Sequence, residues 1–173
     1  MRGRLLNEKE YWGGAYGVAS ETQVIKQADV VAMLELFPTD YSKKIMEANL
    51  DYYEKRTEHG SSLSASMHAG LFCRLGRSDD AWDFFMKSAA ADINGGGKQW
   101  AGLVYIGGTH PAAEGGAYKN LIYGFAGVDF TGGVINITPK LPAHIDALSF
   151  GVTYKNKRYK IEITKENVHC HEI

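Results

Sequence analysis

Four polar residues spread along the chain have side chains suited to binding an oxyanion. Lys26 has an ammonium group, Ser61 and Ser62 have two hydroxyl groups, and His110 has ring N–H donors. Each is predicted to lie just before or at the start of a helix, where unpaired backbone N–H groups and a partial positive charge favour an anion. These residues therefore indicate an oxyanion pocket, with glycines beside His110 that would let a ligand approach the backbone.

Each of the four residues also has an ordinary structural explanation. Ser62 could be a simple helix cap, Lys26 a solvated side chain and His110 a loop histidine with one structural hydrogen bond. The sequence contains no G-x-S-x-G elbow, P-loop, G-x-G-x-x-G or H-E-x-x-H motif. Residue types and spacing alone leave open whether the four residues form a site.

The elements that must position these residues are helices up to about Gly127, where apolar residues recur at three- and four-residue steps. The pattern predicts helices over 27–36, from a cap at Ser42 to about Arg56, over 62–75, from a cap at Ser78 to a point before 95–97, and over 112–125. Gly76 stands where a left-handed C-terminal cap is needed. Short connections predict antiparallel helix pairs.

After Gly127 the apolar residues alternate, which predicts strands. We expect strands over 134–137, 148–154 and through Tyr159, Ile161 and Ile163, with a hairpin connection at Asn156–Lys157. The predicted division is a helical domain over 1–126 and an antiparallel β domain over 127–173. So few strands cannot close a sandwich alone, so we expect the sheet to pack on the helices or on further strands.

Composition gives no support for several classes of partner. The net charge of −1 gives no electrostatic reason to expect nucleic acid or an anionic membrane. No signal peptide or membrane span is evident, and a cytoplasmic protein is expected. Cys73 and Cys170 form no C-x-x-C pair, which argues against a disulfide framework or a zinc site. The triplet 169–171 (His-Cys-His) could bind a metal, but a frayed tail is the favoured interpretation.

Seven short stretches carry a resemblance to a known family. They occur in the family's order and are Val24–Val31, Tyr52–Thr57, His59–Ser64, Gly108–His110, Gly115–Gly116, Gly124–Gly127 and Pro139–Pro142. The chain resembles the C-terminal part of α-glucosyl disaccharide phosphorylases of glycoside hydrolase family 65. The resemblance implies an α+β fold, in which part of an (α/α)6 barrel precedes a small antiparallel β domain.

The resemblance also implies a reaction and roles for residues. In family 65 phosphorylases, the residues matching Lys26, Ser61, Ser62 and His110 hold the phosphate that attacks the sugar. The implied reaction is inverting and converts a disaccharide and phosphate to β-glucose 1-phosphate and glucose, with phosphate as substrate and no cofactor. The family's catalytic acid is a glutamate on an earlier part of the barrel, and no catalytic residue is predicted in this chain.

Three functions remain open at this point. The first is the phosphate-binding portion of a phosphorylase for maltose, trehalose, kojibiose or a related disaccharide, inactive by itself. The second is a non-catalytic fragment or subunit that associates with an N-terminal chain or with itself, since an open barrel exposes apolar surface. The third is a family 65 hydrolase, which would need a carboxylate base where phosphate binds. The pair Ser61–Ser62 argues against the third.

Overall fold

The computed structural model describes residues 23–59, 61–93, 99–101, 104–106 and 108–173. The α-helices in these ranges are α1 (Asp29–Leu36), α2 (Lys43–Glu54), α3 (Ser62–Arg74), α4 (Ser78–Ala89) and α5 (Pro111–Lys119), and α5 continues into a π-helix over Asn120–Phe125. The strands are β1 (Gln99–Ala101), β2 (Val104–Ile106), β3 (Val128–Asp129), β4 (Asn136–Ile137), β5 (Ala147–Tyr154), β6 (Lys157–Thr164) and β7 (Val168–Glu172). The predicted order of helices followed by strands is confirmed, with the unpredicted pair β1–β2 between α4 and α5. The division into two domains at residue 126 stays a prediction.

The helix ends show which capping predictions were correct. Ser42 caps α2, since its hydroxyl accepts a hydrogen bond from the Ile45 amide. Gly76 has φ +82° and follows α3, and the two amides of Gly76 and Arg77 bond back to carbonyls of the last turn of α3. The predicted cap at Ser78 is wrong, because the cap position is Arg77 and Ser78 is the first helical residue.

Helices α1, α3 and α5 run in the same direction. Gly116 and Asn120 meet Ser66, and Gly124 lies against Cys73 further along, so α5 and its π continuation follow α3 from start to end. A Cβ at Gly116 would come within 2.3 Å of the Ser66 Oγ, which shows how closely the helices approach. The end of α1 contacts the end of α3 through Glu35 and Arg74. The N-termini of all three helices therefore lie at the same end, called here the amino end.

Two adjoining clusters of buried side chains form the core. The larger joins the helices and includes Leu34, Leu50, Leu71 and Phe125. The smaller is formed by Ile122, Ala126, Val128, Ile161 and Ile163, which belong to both the helical and the β parts. The sheet β5–β6–β7 therefore packs its apolar face on the helical part, as predicted for so small a sheet.

Three strand predictions need correction. The paired strand β4 covers only Asn136–Ile137, because it pairs with the two-residue strand β3. The hairpin turn between β5 and β6 is Lys155–Asn156, not Asn156–Lys157, and both residues have positive φ, at 50° and 62°. The triplet 169–171 is not a frayed tail but lies in β7, paired with β6 from Tyr159↔Glu172 to Ile163↔Val168. Alternation had not indicated this strand because all five residues of β7 are exposed.

Candidate functional site

Lys26 lies between a short pairing of two segments and the start of α1. The Ile25 amide donates to the Arg56 carbonyl at 3.0 Å, and the Glu58 amide donates to the Ile25 carbonyl at 2.9 Å. This parallel bridge holds the chain entering α1 against the chain that leads into α3. Lys26 is half-buried there. Two of the sequence-predicted segments, which are more than thirty residues apart in the chain, are thus brought together at the amino end.

Ser61 and Ser62 stand at the first turn of α3. Ser61 occupies the cap position and Ser62 is the first helical residue, so the alternative of Ser62 as a simple cap is wrong. The Ser61 side chain makes no capping hydrogen bond, although its carbonyl accepts from the Ser64 amide at 3.0 Å. Within the described residues, neither hydroxyl has a hydrogen-bond partner. Both are half-buried, so both groups remain available to a ligand at the helix N-terminus.

His110 occupies the cap position of α5 and is clamped by Asp92. The backbone N–H of His110 donates to Asp92 Oδ2 at 2.5 Å, and its ring Nδ1 lies 2.6 Å from Asp92 Oδ1. These bonds from His110, together with a contact to Glu114, hold the pKa of the Asp92 carboxyl below its usual range. The histidine is therefore fixed in orientation, beside Pro111 at the first helical position.

A buried hydroxyl ties α4 to the first turn of α5. Ser88 is fully buried and donates to the Ala113 carbonyl at 2.7 Å. We expect Ser88→Ala to lower the free energy of unfolding by about 1 kcal/mol, because one buried hydrogen bond is lost while the helix bond to that carbonyl remains. Urea unfolding would measure the change. Ser42→Ala, which removes an exposed cap, is the comparison, and an unchanged stability in Ser88→Ala would show that this hydrogen bond does not support α5.

The loop before α3 is shaped by residues that the sequence analysis did not single out. His59 has φ +56°, and its Nδ1 lies 2.9 Å from the Ser64 Oγ. His68 is fully buried, with Nδ1 3.0 Å from the Ser64 carbonyl, and the two imidazole rings meet edge to face at 4.6 Å. Gly60, between His59 and Ser61, lies outside the described residues. The sequence shows two histidines nine residues apart, but that spacing is typical of no motif and so did not predict these contacts.

All four predicted site residues thus belong to the amino end of the parallel helices. Lys26 precedes α1, Ser61 and Ser62 begin α3, and His110 begins α5. Backbone N–H groups of the first turns of α3 and α5 add further donors, and the helix dipoles favour negative charge at this end. The chemistry available is binding of an oxyanion with no carboxylate base among these four residues.

A cavity of about 700 Å³ lies at the opposite, carboxyl end of the helices. Its charged lining includes Glu35, Arg74, Lys119 and Lys140, and none of the four predicted site residues lines it. Glu35 is buried and is paired with Lys119 and, at 3.9 Å, with Arg74, while Lys140 donates to the Cys73 carbonyl at 3.3 Å. The charged groups of this cavity already have protein partners.

Two further findings concern metals and membranes. Within the part of the chain that the structure describes, no three or more His, Cys, Asp or Glu side chains are grouped so as to hold a metal ion. None of the described helices combines the length and the apolar character needed to cross a bilayer.

The helices, the small sheet and the polar amino end define an α+β protein that contains part of a helical barrel. Two family models match the chain, the glycosyl hydrolase family 65 central catalytic domain over residues 11–117 and the family's C-terminal domain over residues 128–172. The chain therefore belongs to glycosyl hydrolase family 65.

Several curated proteins are similar to it. Over 173 residues it is 59% identical to nigerose phosphorylase of Lachnoclostridium phytofermentans, and this match covers the whole chain but 23% of that protein. It is 36% identical over 165 residues to 1,2-alpha-glucosylglycerol phosphorylase of Bacillus selenitireducens and 38% identical over 150 residues to kojibiose phosphorylase of Halothermothrix orenii. These matches cover 95% and 86% of the chain, and 22% and 18% of those proteins. The chain thus spans about a quarter or less of the length of these relatives.

A solved structure shares the fold. A candidate kojibiose phosphorylase from the human microbiome aligns with a TM-score of 0.77 and 28% identity, over 98% of this chain and 24% of that one. The α+β fold inferred from the sequence is confirmed, as is the resemblance to family 65.

Proposed function

We propose that this chain supplies the phosphate-binding side of an inverting α-glucosyl disaccharide phosphorylase. The observation that carries the proposal is the position of Lys26, Ser61, Ser62 and His110 at the common amino end of three parallel helices. The named relatives are phosphorylases, which supports phosphate as the oxyanion over a carboxylate.

The four residues have different roles in the proposed site at the amino end. The Lys26 ammonium offsets part of the phosphate charge, and the hydroxyls of Ser61 and Ser62 donate hydrogen bonds to its oxygens. His110 contributes its remaining ring nitrogen, because Nδ1 faces Asp92. Held in this way, one phosphate oxygen attacks the anomeric carbon, and the glucosyl group leaves as β-glucose 1-phosphate. The acid that protonates the departing sugar oxygen is assigned to an earlier part of the barrel.

Nigerose is the disaccharide that we propose as the substrate of the whole protein. The nigerose phosphorylase is 59% identical to this chain, whereas the kojibiose phosphorylase of Halothermothrix orenii is 38% identical. In this proposal phosphate is the second substrate, β-glucose 1-phosphate and glucose are the products, and no cofactor takes part. Comparing phosphorolysis of nigerose and kojibiose by the whole protein would decide this choice.

A subunit that associates with an N-terminal chain or with itself is the second candidate. Large apolar side chains are exposed on the helical part, among them Leu36 and Phe37, each 56% exposed, and Tyr118, 61% exposed. Such surface is typical of faces that pack against other elements. A chain that stays monomeric at high concentration, alone and mixed with the N-terminal part of a relative, would contradict this candidate.

Calorimetric titration of inorganic phosphate into the chain at modest salt tests the phosphate site. We expect Lys26→Ala and His110→Ala each to weaken binding by about tenfold or more, since each removes a charged or charge-assisted contact. Lys43→Ala and His169→Ala, which remove exposed side chains elsewhere, are the matched controls and are expected to bind like the parent chain.

Two outcomes would contradict the proposal. One is phosphate binding that neither Lys26→Ala nor His110→Ala weakens, because the anion would then sit elsewhere. The other is an absence of binding both in the chain alone and after the N-terminal part of a relative has been added. Binding that appears only after that addition would support the site and show that it needs the rest of the barrel.

A further inference from the structure

Asp92 contacts His110 at two points that have different chemical consequences. Its Oδ2 accepts the backbone N–H of His110 at 2.5 Å, which fixes the start of α5. Its Oδ1 lies 2.6 Å from the ring Nδ1, which acts on the side chain. Both side chains are largely shielded from solvent, with 18% of Asp92 and 16% of His110 exposed.

The carboxylate determines which ring nitrogen carries a proton. Hydrogen bonds from His110 hold the pKa of Asp92 below its usual range, so the carboxyl is ionised at neutral pH. An ionised carboxylate can only accept hydrogen bonds, and therefore Nδ1 must carry a hydrogen. Within the described residues no protein group bonds to Nε2, which is the nitrogen left for a ligand.

We propose that Asp92 is a positioning residue that keeps a proton on Nδ1 of His110 and so presents Nε2 to the bound phosphate. This inference rests on the proposed function, because it names what one residue of the phosphate site does. Sequence reasoning gave Asp92 no role, since an aspartate after a helix has no distinguishing motif.

With Nδ1 bonded to Asp92, the Nε2 atom of His110 can accept a proton from phosphate. When a monoanionic phosphate binds, its O–H bond can break with the electron pair remaining on oxygen, while a new N–H bond forms at Nε2. The products are a dianionic phosphate, which is the better nucleophile, and an imidazolium whose two N–H groups donate to Asp92 and to phosphate. No other reactant is needed, and the total charge is unchanged.

The imidazolium has two charged neighbours, the N-terminus of α5 and the Asp92 carboxylate. The partial positive charge at the N-terminus of α5 disfavours a cation. The charge-assisted hydrogen bond from Nδ1 to the Asp92 carboxylate favours the cation and outweighs the effect of the helix end. Glu114, on the first turn of α5, also contacts Asp92 and helps to lower the pKa of that carboxyl. The balance of these effects favours the cation when phosphate is bound.

The state of the ring can be read directly from side-chain nitrogen signals. We expect the ¹⁵N spectrum of the labelled, phosphate-free chain, recorded at alkaline pH, to show a neutral His110 ring with its hydrogen on Nδ1. His110→Gln identifies the signals among those of the six histidines. A neutral ring with its hydrogen on Nε2 would overturn the inference, whether or not phosphate binds.

Asp92→Asn should reverse the tautomer without changing the shape of the side chain. The asparagine carbonyl can still accept the His110 backbone N–H, which leaves the NH₂ group facing Nδ1 as a donor. We therefore expect the neutral ring to move its hydrogen to Nε2. Asp83→Asn, an exposed carboxylate on α4, is the matched control and should leave the tautomer unchanged. A tautomer that is the same in Asp92→Asn and in the parent chain would also overturn the inference.

Titration with inorganic phosphate separates the inference from the proposed function. In the parent chain, saturation should produce a doubly protonated His110 ring, whereas in Asp92→Asn the ring should stay neutral and phosphate should bind about tenfold more weakly. Equal affinity in the two proteins would overturn the positioning role. If phosphate shifts no His110 signal in the parent chain even with the N-terminal part of a relative present, the proposed phosphate site fails, and the ligand-facing role of Nε2 fails with it, while the tautomer still reports on Asp92.

Discussion

Gly127→Ala is expected to lower the free energy of unfolding by about 4 kcal/mol, because two costs combine at this residue. Gly127 has φ +64°, which a side chain disfavours, and a Cβ would lie 1.9 Å from the Thr138 carbonyl oxygen. That oxygen belongs to backbone that cannot easily move. The Thr138 amide donates to the Gly127 carbonyl at 3.0 Å, and the Lys140 amide donates to the Phe125 carbonyl at 2.7 Å.

Urea unfolding of Gly127→Ala should be compared with that of Gly132→Ala. Gly132 has a similar φ of +73°, but nothing lies within 4 Å of a Cβ there. The control therefore has only the backbone cost, about 1 kcal/mol. Equal losses in the two variants would show that the close approach to Thr138 does not matter.

Lys119→Met is expected to lower the free energy of unfolding by about 3 kcal/mol. The variant leaves the Glu35 carboxylate, which is only 5% exposed, with Arg74 at 3.9 Å as its remaining ionic partner in the described residues. A buried charge that loses its partner is costly, whereas the methionine retains most of the lysine's apolar contacts. Thermal or urea unfolding would measure the loss.

Two variants test whether the loss of stability in Lys119→Met comes from the unpaired Glu35 carboxylate. Glu35→Gln combined with Lys119→Met should be more stable than Lys119→Met alone, because the buried charge is gone. Lys157→Met, which breaks the exposed pair with Glu172, should leave the stability nearly unchanged. A double variant as unstable as the single one would contradict this explanation.

The helices were predictable because their signals are local. Apolar spacing located α2 and α3, Ser42 and Gly76 marked ends correctly, and the alternation at Tyr159, Ile161 and Ile163 located β6. The cap at Ser78 and the hairpin turn were wrong by one residue, and the larger errors fell where long-range pairing decides. The length of β4 is set by the short strand β3 with which it pairs, and β7 forms a strand because it pairs with the edge of β6. An exposed strand paired on one side leaves no apolar pattern in its own residues.

The site was only partly predictable for a similar reason. Residue types indicated donors at helix starts, and the structure gathers Lys26, Ser61, Ser62 and His110 at one end of parallel helices. Their binding of phosphate stays a prediction. The clamp by Asp92 could not be read from the sequence, because eighteen residues separate it from His110 and only the packing of α4 against α5 brings them together.

The common direction of α1, α3 and α5 makes the helical part electrically polar along its axis. Three positive helix ends face one way and three negative ends face the other. Lysine and arginine side chains occur at the negative end too, but Glu35 pairs with Lys119 and Arg74, and the Cys73 carbonyl accepts Lys140. Those cations therefore already have protein partners, whereas the hydroxyls of Ser61 and Ser62, at the start of α3, have no partner in the described residues. The path of the backbone thus places the helix ends that favour an anion on one side of the helical part, before any particular side chain is considered.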